Sequence, residues 1–255
     1  MSRMRTGTPT RAWNRATWSR YAWPRAGEEW SASYGDTASM WRTLLLPRIG
    51  RFLPCTHAVE IGCGHGRCSR WLLDHCEQLT LVDLTPSCVD ACRRRFGLDP
   101  RVRYFLNDGR SLPVDAADFV FSWDSLVHAD PESLAAYLRA LAVVLTPGGI
   151  AWIHHSNLGA YPALGHRWRS LHARHPHASA ARARADAVQA GLVCFGQELV
   201  PWGGTSLFLD AFSTFGRSGP EGPTVANDRW LEEIATAQAA GRGGNHRNGA
   251  GRAPR

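Results

Sequence analysis

The chain has 255 residues, 44% of them hydrophobic, which suits one α/β domain with a packed core and short extensions. No apolar run reaches the eighteen residues of a membrane span, and residues 1–7 carry charge without the apolar stretch of a secretory leader. The formal net charge of +7 is all arginine, 29 residues and no lysine, with much of the excess near the ends (Arg3, Arg5, Arg11, Arg15, Arg20; Arg242, Arg247, Arg252, Arg255). We read it as compositional bias with solvated tails, and expect a cytoplasmic protein with no nucleic-acid partner.

In chain order, residues 1–12 read as a disordered tail. Residues 13–52 read as an N-terminal aromatic and helical cap. Trp13, Trp18, Tyr21, Trp23, Trp30 and Tyr34 crowd its first part, and an amphipathic helix is expected over 37–52. From 53 to 216 short apolar runs alternate with helical patterns. The runs are 58–61, 79–82, 102–106, 118–121 and 150–153. Helices are expected over 67–76, over 86–96 with Pro86 in its first turn, and over 132–145, ended by Pro147-Gly148-Gly149. Residues 157–190 read as helical, and 192–200 and 206–215 as two further strands. The sum is a doubly wound, mostly parallel, seven-stranded α/β sheet. Residues 217–255 read as a largely flexible tail around one short helix near 229–240. The seven cysteines read as reduced, buried small residues, without the paired spacing of a structural zinc site.

The chemistry concentrates where strands end, because open α/β sheets bind ligands at the carboxyl ends of their strands. The first strand runs into Glu60-Ile61-Gly62-Cys63-Gly64-His65-Gly66, glycine at every second position behind an acid. Glycine there allows unusual backbone angles and close approach of a ligand. A dinucleotide fingerprint would place its third glycine at 67, which is arginine here. The second strand ends in Asp83, twenty-three residues after Glu60, where an acid can hold a ribose diol. The third ends in Asn107-Asp108-Gly109, the fourth in Ser122-Trp123-Asp124-Ser125, the fifth in His154-His155-Ser156-Asn157.

The Glu-x-Gly-x-Gly-x-Gly turn resembles motif I of the class I S-adenosylmethionine methyltransferases. Gly27-Glu28-Glu29-Trp30, the segment Phe121 to His128, and Ile153 to Leu158 are similar to a bacterial subgroup acting on glycans; the resemblance spans about residues 13–216. It implies S-adenosyl-L-methionine as cofactor, held by Glu60, Gly62, Gly64, Gly66, Asp83, Asn107, Asp108, Gly109 and Ser122, with Asp108 on the adenine amine. Relatives with an aromatic residue after the glycine turn differ from this chain, which has Cys68. Methyl transfer to a neutral hydroxyl needs a base, and His154 is placed slightly ahead of His155. Asp124 would orient the hydroxyl, or join His155 or Asp210 on a divalent cation such as Mg. A phosphate acceptor would instead call on Arg167 or Arg169. His128 is read as a structural, hydrogen-bonded histidine. The expected function is O-methylation of a sugar hydroxyl in an oligo- or polysaccharide, oligomer possible. A small-molecule or natural-product O-methyltransferase, methylation of a glycan phosphate, and a non-catalytic cofactor-binding subunit are the alternatives.

Overall fold

The computed structural model describes residues 8–164, 173–202 and 205–247, the last helix's side chains to 242. The chain opens with α1 (Arg11–Trp18), whose cap Thr10 accepts from Trp13 N. A 3-10 turn (Glu28–Tyr34) follows. The helix expected over 37–52 is broken into α2 (Thr37–Met40), a π turn (Trp41–Leu45), α3 (Leu46–Ile49) and a 3-10 turn. Its apolar face still buries Met40, Trp41, Leu44, Leu45 and Ile49.

Then come β1 (Cys55–Ile61), α4 (Ser69–Leu73), β2 (Cys76–Asp83), α5 (Pro86–Phe96), β3 (Val102–Leu106), β4 (Ala117–Ser122), α6 (Pro131–Val144) and β5 (Leu145–Ser156). After these run α7 (Ala180–Gln189), β6 (Val193–Val200), β7 (Asp210–Gly216), β8 (Thr224–Ala226) and α8 (Trp230–Arg247). Helix α5 matches its sequence expectation, since Pro86 presets its first turn and Val89 and Cys92 face the core. Helix α6 starts one residue early because Asp130 accepts from Ser133 N at 2.7 Å. Pro147-Gly148-Gly149 lies outside the helix, in a stretch where β5's pairing with β4 jumps from Leu145 to Ile150.

The sheet order is β3-β2-β1-β4-β5-β7-β6-β8, so eight strands are described rather than the expected seven. β5–β7 and β6–β7 pair antiparallel and all other neighbours parallel, so β7 alone is reversed. The eighth strand lies in the segment read as a flexible tail. That segment also carries α8, whose Trp230 is buried against Phe212 at 5.3 Å between ring centres. The helix expected over 157–190 reduces, among the described residues, to a 3-10 turn at Leu158–Ala160 and α7. Residues 1–7, and Arg167 and Arg169 with the phosphate role considered for them, lie outside the described residues. Two apolar cores flank the sheet, one with α2 and α3, the other with α6 and α7. All seven cysteines are free thiols, six of them buried. None of the described helices is long and apolar enough to cross a membrane.

The strand order reverses between β1 and β4, so the loops after these strands splay apart and leave a crevice at their carboxyl ends.

Candidate active site

That crevice holds a cavity of about 570 Å³. Its floor is the turn after β1. Gly62, Gly64 and Gly66 all have positive φ (73°, 54° and 79°), a region where a side chain costs roughly 1–2 kcal/mol. The Gly64 N–H donates to Asp83 Oδ2 at 2.9 Å, tying the turn to the end of β2. A Cβ at Gly62 would lie 1.7 Å from Ser125 Oγ. Gly62→Ala is therefore expected to weaken cofactor binding at least about tenfold, the equivalent of that strain. Calorimetry with S-adenosylhomocysteine checks this; an unchanged affinity would show that the turn's shape is not needed.

Glu60, buried below the turn, accepts a hydrogen bond from the Ser69 hydroxyl. Burial pushes its carboxyl up to about 7, against the opposing pull of Ser69 and Arg67. Asp83 lines the cavity too. It also accepts from Thr85 N (2.8 Å) and Thr85 Oγ1 (2.9 Å), and burial raises its pKa against these donors.

The cap roofs the cavity. Trp23 stacks on His65 with ring centres 4.5 Å apart and sits over Gly64. Arg95 reaches both Glu28 Oε1 and the His65 carbonyl at 3.0 Å, clamping cap to turn. Trp18, Trp30, Tyr34, Trp123, Trp202 and Trp230 add further aromatic lining. Residues 13–34 thus contact the domain through Trp23 on His65 and Trp18 beside His128.

Not every expected site residue reaches this cavity. The side chains of Asn107 and Asp108 turn away from it, and only Gly109 of that trio lines it. Asp108 is exposed, and its Oδ1 accepts from Arg110 N, Ser111 N and Ser111 Oγ, each at 2.9 Å. The Ser111 N–H above all holds its carboxyl below the usual range. Asn107 Oδ1 accepts from Gly109 N and from the Tyr137 hydroxyl. Ser122 stitches β4 to β1 through the Ile61 carbonyl at 3.0 Å and is buried off the cavity.

The histidines separate as alternating strand residues must. His155 lies on the opposite face, between the Ser156 carbonyl (3.0 Å) and Ser213 Oγ (2.7 Å), and burial lowers its pKa to about 4. It is a core histidine. His154 stands behind the Trp123 ring rather than in the cavity. Its Nδ1 accepts from the Asp124 N–H at 3.1 Å, so the ring proton sits on Nε2, 3.1 Å from Asp210 Oδ2. Its one lone pair is occupied, which removes it from the role of base. Asp210 is held by Arg174 through two bonds of 2.6 Å, and Arg174 packs 3.9 Å from the Trp202 ring centre. The cation site considered from Asp124, His155 and Asp210 does not assemble. His155 faces away and Asp210 is saturated by Arg174; no cluster of three ligating side chains converges among the described residues.

Of the loop after β4, Asp124 and His128 line the cavity, together with His65, Glu29, Arg67 and Arg174 from elsewhere. Asp124 has φ +56° and pairs with the buried Arg67 at 3.2 Å, which also donates to Ser31 Oγ. His128 sits 5.1 Å from the Trp18 ring centre, and its Nδ1–H donates to the Ala173 carbonyl at 3.2 Å. A carbonyl only accepts, so the lone pair of His128 is on Nε2. Burial, reinforced by Arg174, lowers its pKa to about 4, so it is neutral at pH 7. The sequence reading of His128 as hydrogen-bonded agrees with this, but missed that His128 is among the residues lining the cavity.

These features fit S-adenosylmethionine: a glycine cradle that a Cβ would fill, buried carboxylates at the ends of β1 and β2, and a cavity of sufficient size. Residues 58–149 match a family model described as a methyltransferase domain. The malonyl-[acyl-carrier protein] O-methyltransferase of Serratia marcescens is 28% identical over 143 residues, 55% of this chain and 55% of its own. Nodulation protein S of Rhizobium tropici is 33% identical over 98 residues, 38% of this chain and 41% of its own. The chain thus spans about half the length of the curated relatives it matches. Among solved structures, the N-methyltransferase NodS of Bradyrhizobium japonicum WM9 in complex with S-adenosyl-L-homocysteine aligns with a TM-score of 0.53 at 16% identity, covering 77% of this chain and 91% of that one. A methyltransferase of Leishmania major aligns at 0.61 and 11% identity, covering 81% and 82%. At such identities the structural likeness speaks for the fold alone, and with the matched model and the glycine cradle it gives one conclusion: residues 58–149 form a methyltransferase domain, set in a fold shared with S-adenosylmethionine-dependent methyltransferases.

Proposed function

We propose that the protein transfers a methyl group from S-adenosylmethionine to an oxygen of a saccharide, with His128 as the base. The observation that supports this is one cavity in which the glycine turn, Asp124, His128 and a wall of indoles meet. The apolar faces of a sugar ring pack on indole, while its hydroxyls need polar partners of the kind Asp124 and Arg67 supply. The bound cofactor supplies an electrophilic methyl group on a sulfonium. The residues align the acceptor, exclude water and take its proton. His128 Nε2, unprotonated at neutral pH, would do the last of these; Asp124, fixed by Arg67 and by its N–H on His154, would orient the acceptor.

General bases contribute about 10²- to 10⁴-fold, so His128→Ala should lose that much kcat on the true acceptor while binding S-adenosylhomocysteine normally. Because burial places its pKa at about 4, the acidic limb of wild-type kcat should fall near pH 4, not near 6.5. Turnover against a panel of mono- and oligosaccharides, followed by S-adenosylhomocysteine release, tests the acceptor class. Failure with every saccharide, together with methylation of a carboxylate and no loss in His128→Ala, would overturn the reading.

A carboxylate acceptor is the second reading. Two buried arginines, Arg67 and Arg174, line the cavity, and the relative from Serratia marcescens is named for O-methylation of a malonyl group. A carboxylate needs no base, so the His128 variant separates the two.

A further inference from the structure

A purine bearing an exocyclic amine needs an acceptor at the far end of the cavity, where the loops after β2, β3 and β4 converge on Leu84, Gly109 and Ala129. Of the residues that sequence places there, Asp108 and Asn107 each engage Oδ1 on their own turn, and neither lines the cavity, which only Gly109 of the three reaches. Helix α1 of the cap enters at this point instead. Arg11 N donates to Asp130 Oδ2 at 2.9 Å and Arg11 Nη1 to the Asp108 carbonyl at 3.1 Å, pinning the helix between the loops after β3 and β4.

One turn on, Asn14 lines the cavity and is 8% exposed. Its Nδ2 donates to the His128 carbonyl at 2.7 Å. That bond fixes the amide's orientation, because the carbonyl could not receive Oδ1. Asn14 Oδ1 is then left buried with no donor. A buried acceptor without a donor is costly, and a ligand N–H that reaches it is correspondingly favoured. Ser133 Oγ, on the same wall and likewise without a partner, can donate to a neighbouring ring nitrogen.

From this we infer that Asn14 accepts the 6-amino N–H of the cofactor's adenine, in place of Asp108, so that the cap helix is itself part of the cofactor site. The inference rests on the S-adenosylmethionine reading of the cavity. It means that the segment roofing the acceptor side also reads the base, so docking of α1 and cofactor binding support one another.

The test is calorimetric and needs no acceptor. S-adenosylhomocysteine is compared with S-inosylhomocysteine, which carries a 6-oxo group and a protonated ring nitrogen, reversing the donor and acceptor pattern. Wild-type protein is expected to prefer the adenine compound by about tenfold or more, the equivalent of one buried hydrogen bond. Asn14→Ala should bring the two affinities within about threefold, and Asp108→Ala should leave the wild-type preference intact. Retention of the full preference in Asn14→Ala, or its loss in Asp108→Ala, overturns the assignment. Should Asn14→Ala fail to fold, Asn14→Gln displaces the oxygen by one methylene, keeps the amide, and reads the same ratio. If wild-type protein binds neither nucleoside, the cofactor reading itself fails and the assignment with it.

Discussion

Replacing Asp210 with asparagine is expected to cost about 3–5 kcal/mol of stability, a large share of what a domain of this size possesses. Asp210 and Arg174 each have side chains 1% exposed, and two hydrogen bonds of 2.6 Å join them. Arg174 holds the Asp210 carboxyl well below the usual range, overcoming the burial that would raise it. Asparagine removes the charge but not the guanidinium, which stays desolvated against Trp202 with its counter-charge gone. The damage extends to the cavity. Asp210 Oδ2 lies 3.1 Å from His154 Nε2 and favours the ring proton there, and that tautomer presents Nδ1 to the N–H of Asp124, a residue held at φ +56°. Without Asp210 the ring is free to exchange its proton between nitrogens, and Asp124 loses its anchor. Denaturant titration of Asp210→Asn and of the double variant Asp210→Leu with Arg174→Met distinguishes a buried charge from lost packing. The double variant should recover most of the loss, because apolar pairs of similar volume replace buried ion pairs at little cost. A loss below about 1 kcal/mol in Asp210→Asn would show that the pair is not sealed from water.

This network also marks where sequence stopped being informative. The glycine turn, Glu60, Asp83 and α5 were legible because each is local: a strand, a turn of glycines and a proline-started helix follow one another within forty residues. The α/β alternation came from the same local periodicity. Which face a strand-end side chain takes is not local. Strand alternation sends His154 and His155 to opposite faces, yet only the pairing of β5 with β7 shows that Asp210 waits for His154 and Ser213 for His155. Arg174 bears on Asp210 across 36 residues. Asp108 is different, because a local signal was present and went unread. Asp-Gly-Arg-Ser is a turn in which the acid caps its own following N–H groups, so one oxygen of a carboxylate there is already engaged. The eighth strand, three residues long, is too short to carry a periodicity at all.

Cofactor binding should release a proton, and its affinity should rise with pH through neutrality. Glu60 is 4% exposed, and burial raises its carboxyl to about 7, so near neutrality a substantial fraction is protonated before the cofactor arrives. S-adenosylmethionine brings a sulfonium and an ammonium, and a cation in the cavity favours the ionised form. With a pKa near 7, affinity at pH 6 should be roughly tenfold below that at pH 8, and about half a proton should leave per cofactor bound at pH 7. Calorimetry in buffers of different ionisation enthalpy measures that proton directly. Glu60→Gln should abolish the release and the pH dependence, while binding more weakly than wild type at pH 8. The same shift carries a stability consequence of opposite sense. The unfolded carboxyl ionises near 4.5 and the folded one near 7, so the ligand-free protein binds more protons than its unfolded chain in that interval. Its stability is then fullest below about 4.5 as far as Glu60 is concerned, and declines as pH rises toward 7. Ligand-free Glu60→Gln should accordingly be more stable than wild type at pH 8, by up to about 3 kcal/mol. A variant that binds the cofactor less well yet melts higher without it would place Glu60 as a charge kept for the ligand. Weaker binding with equal or lower stability would instead mark it as a packing residue below the turn.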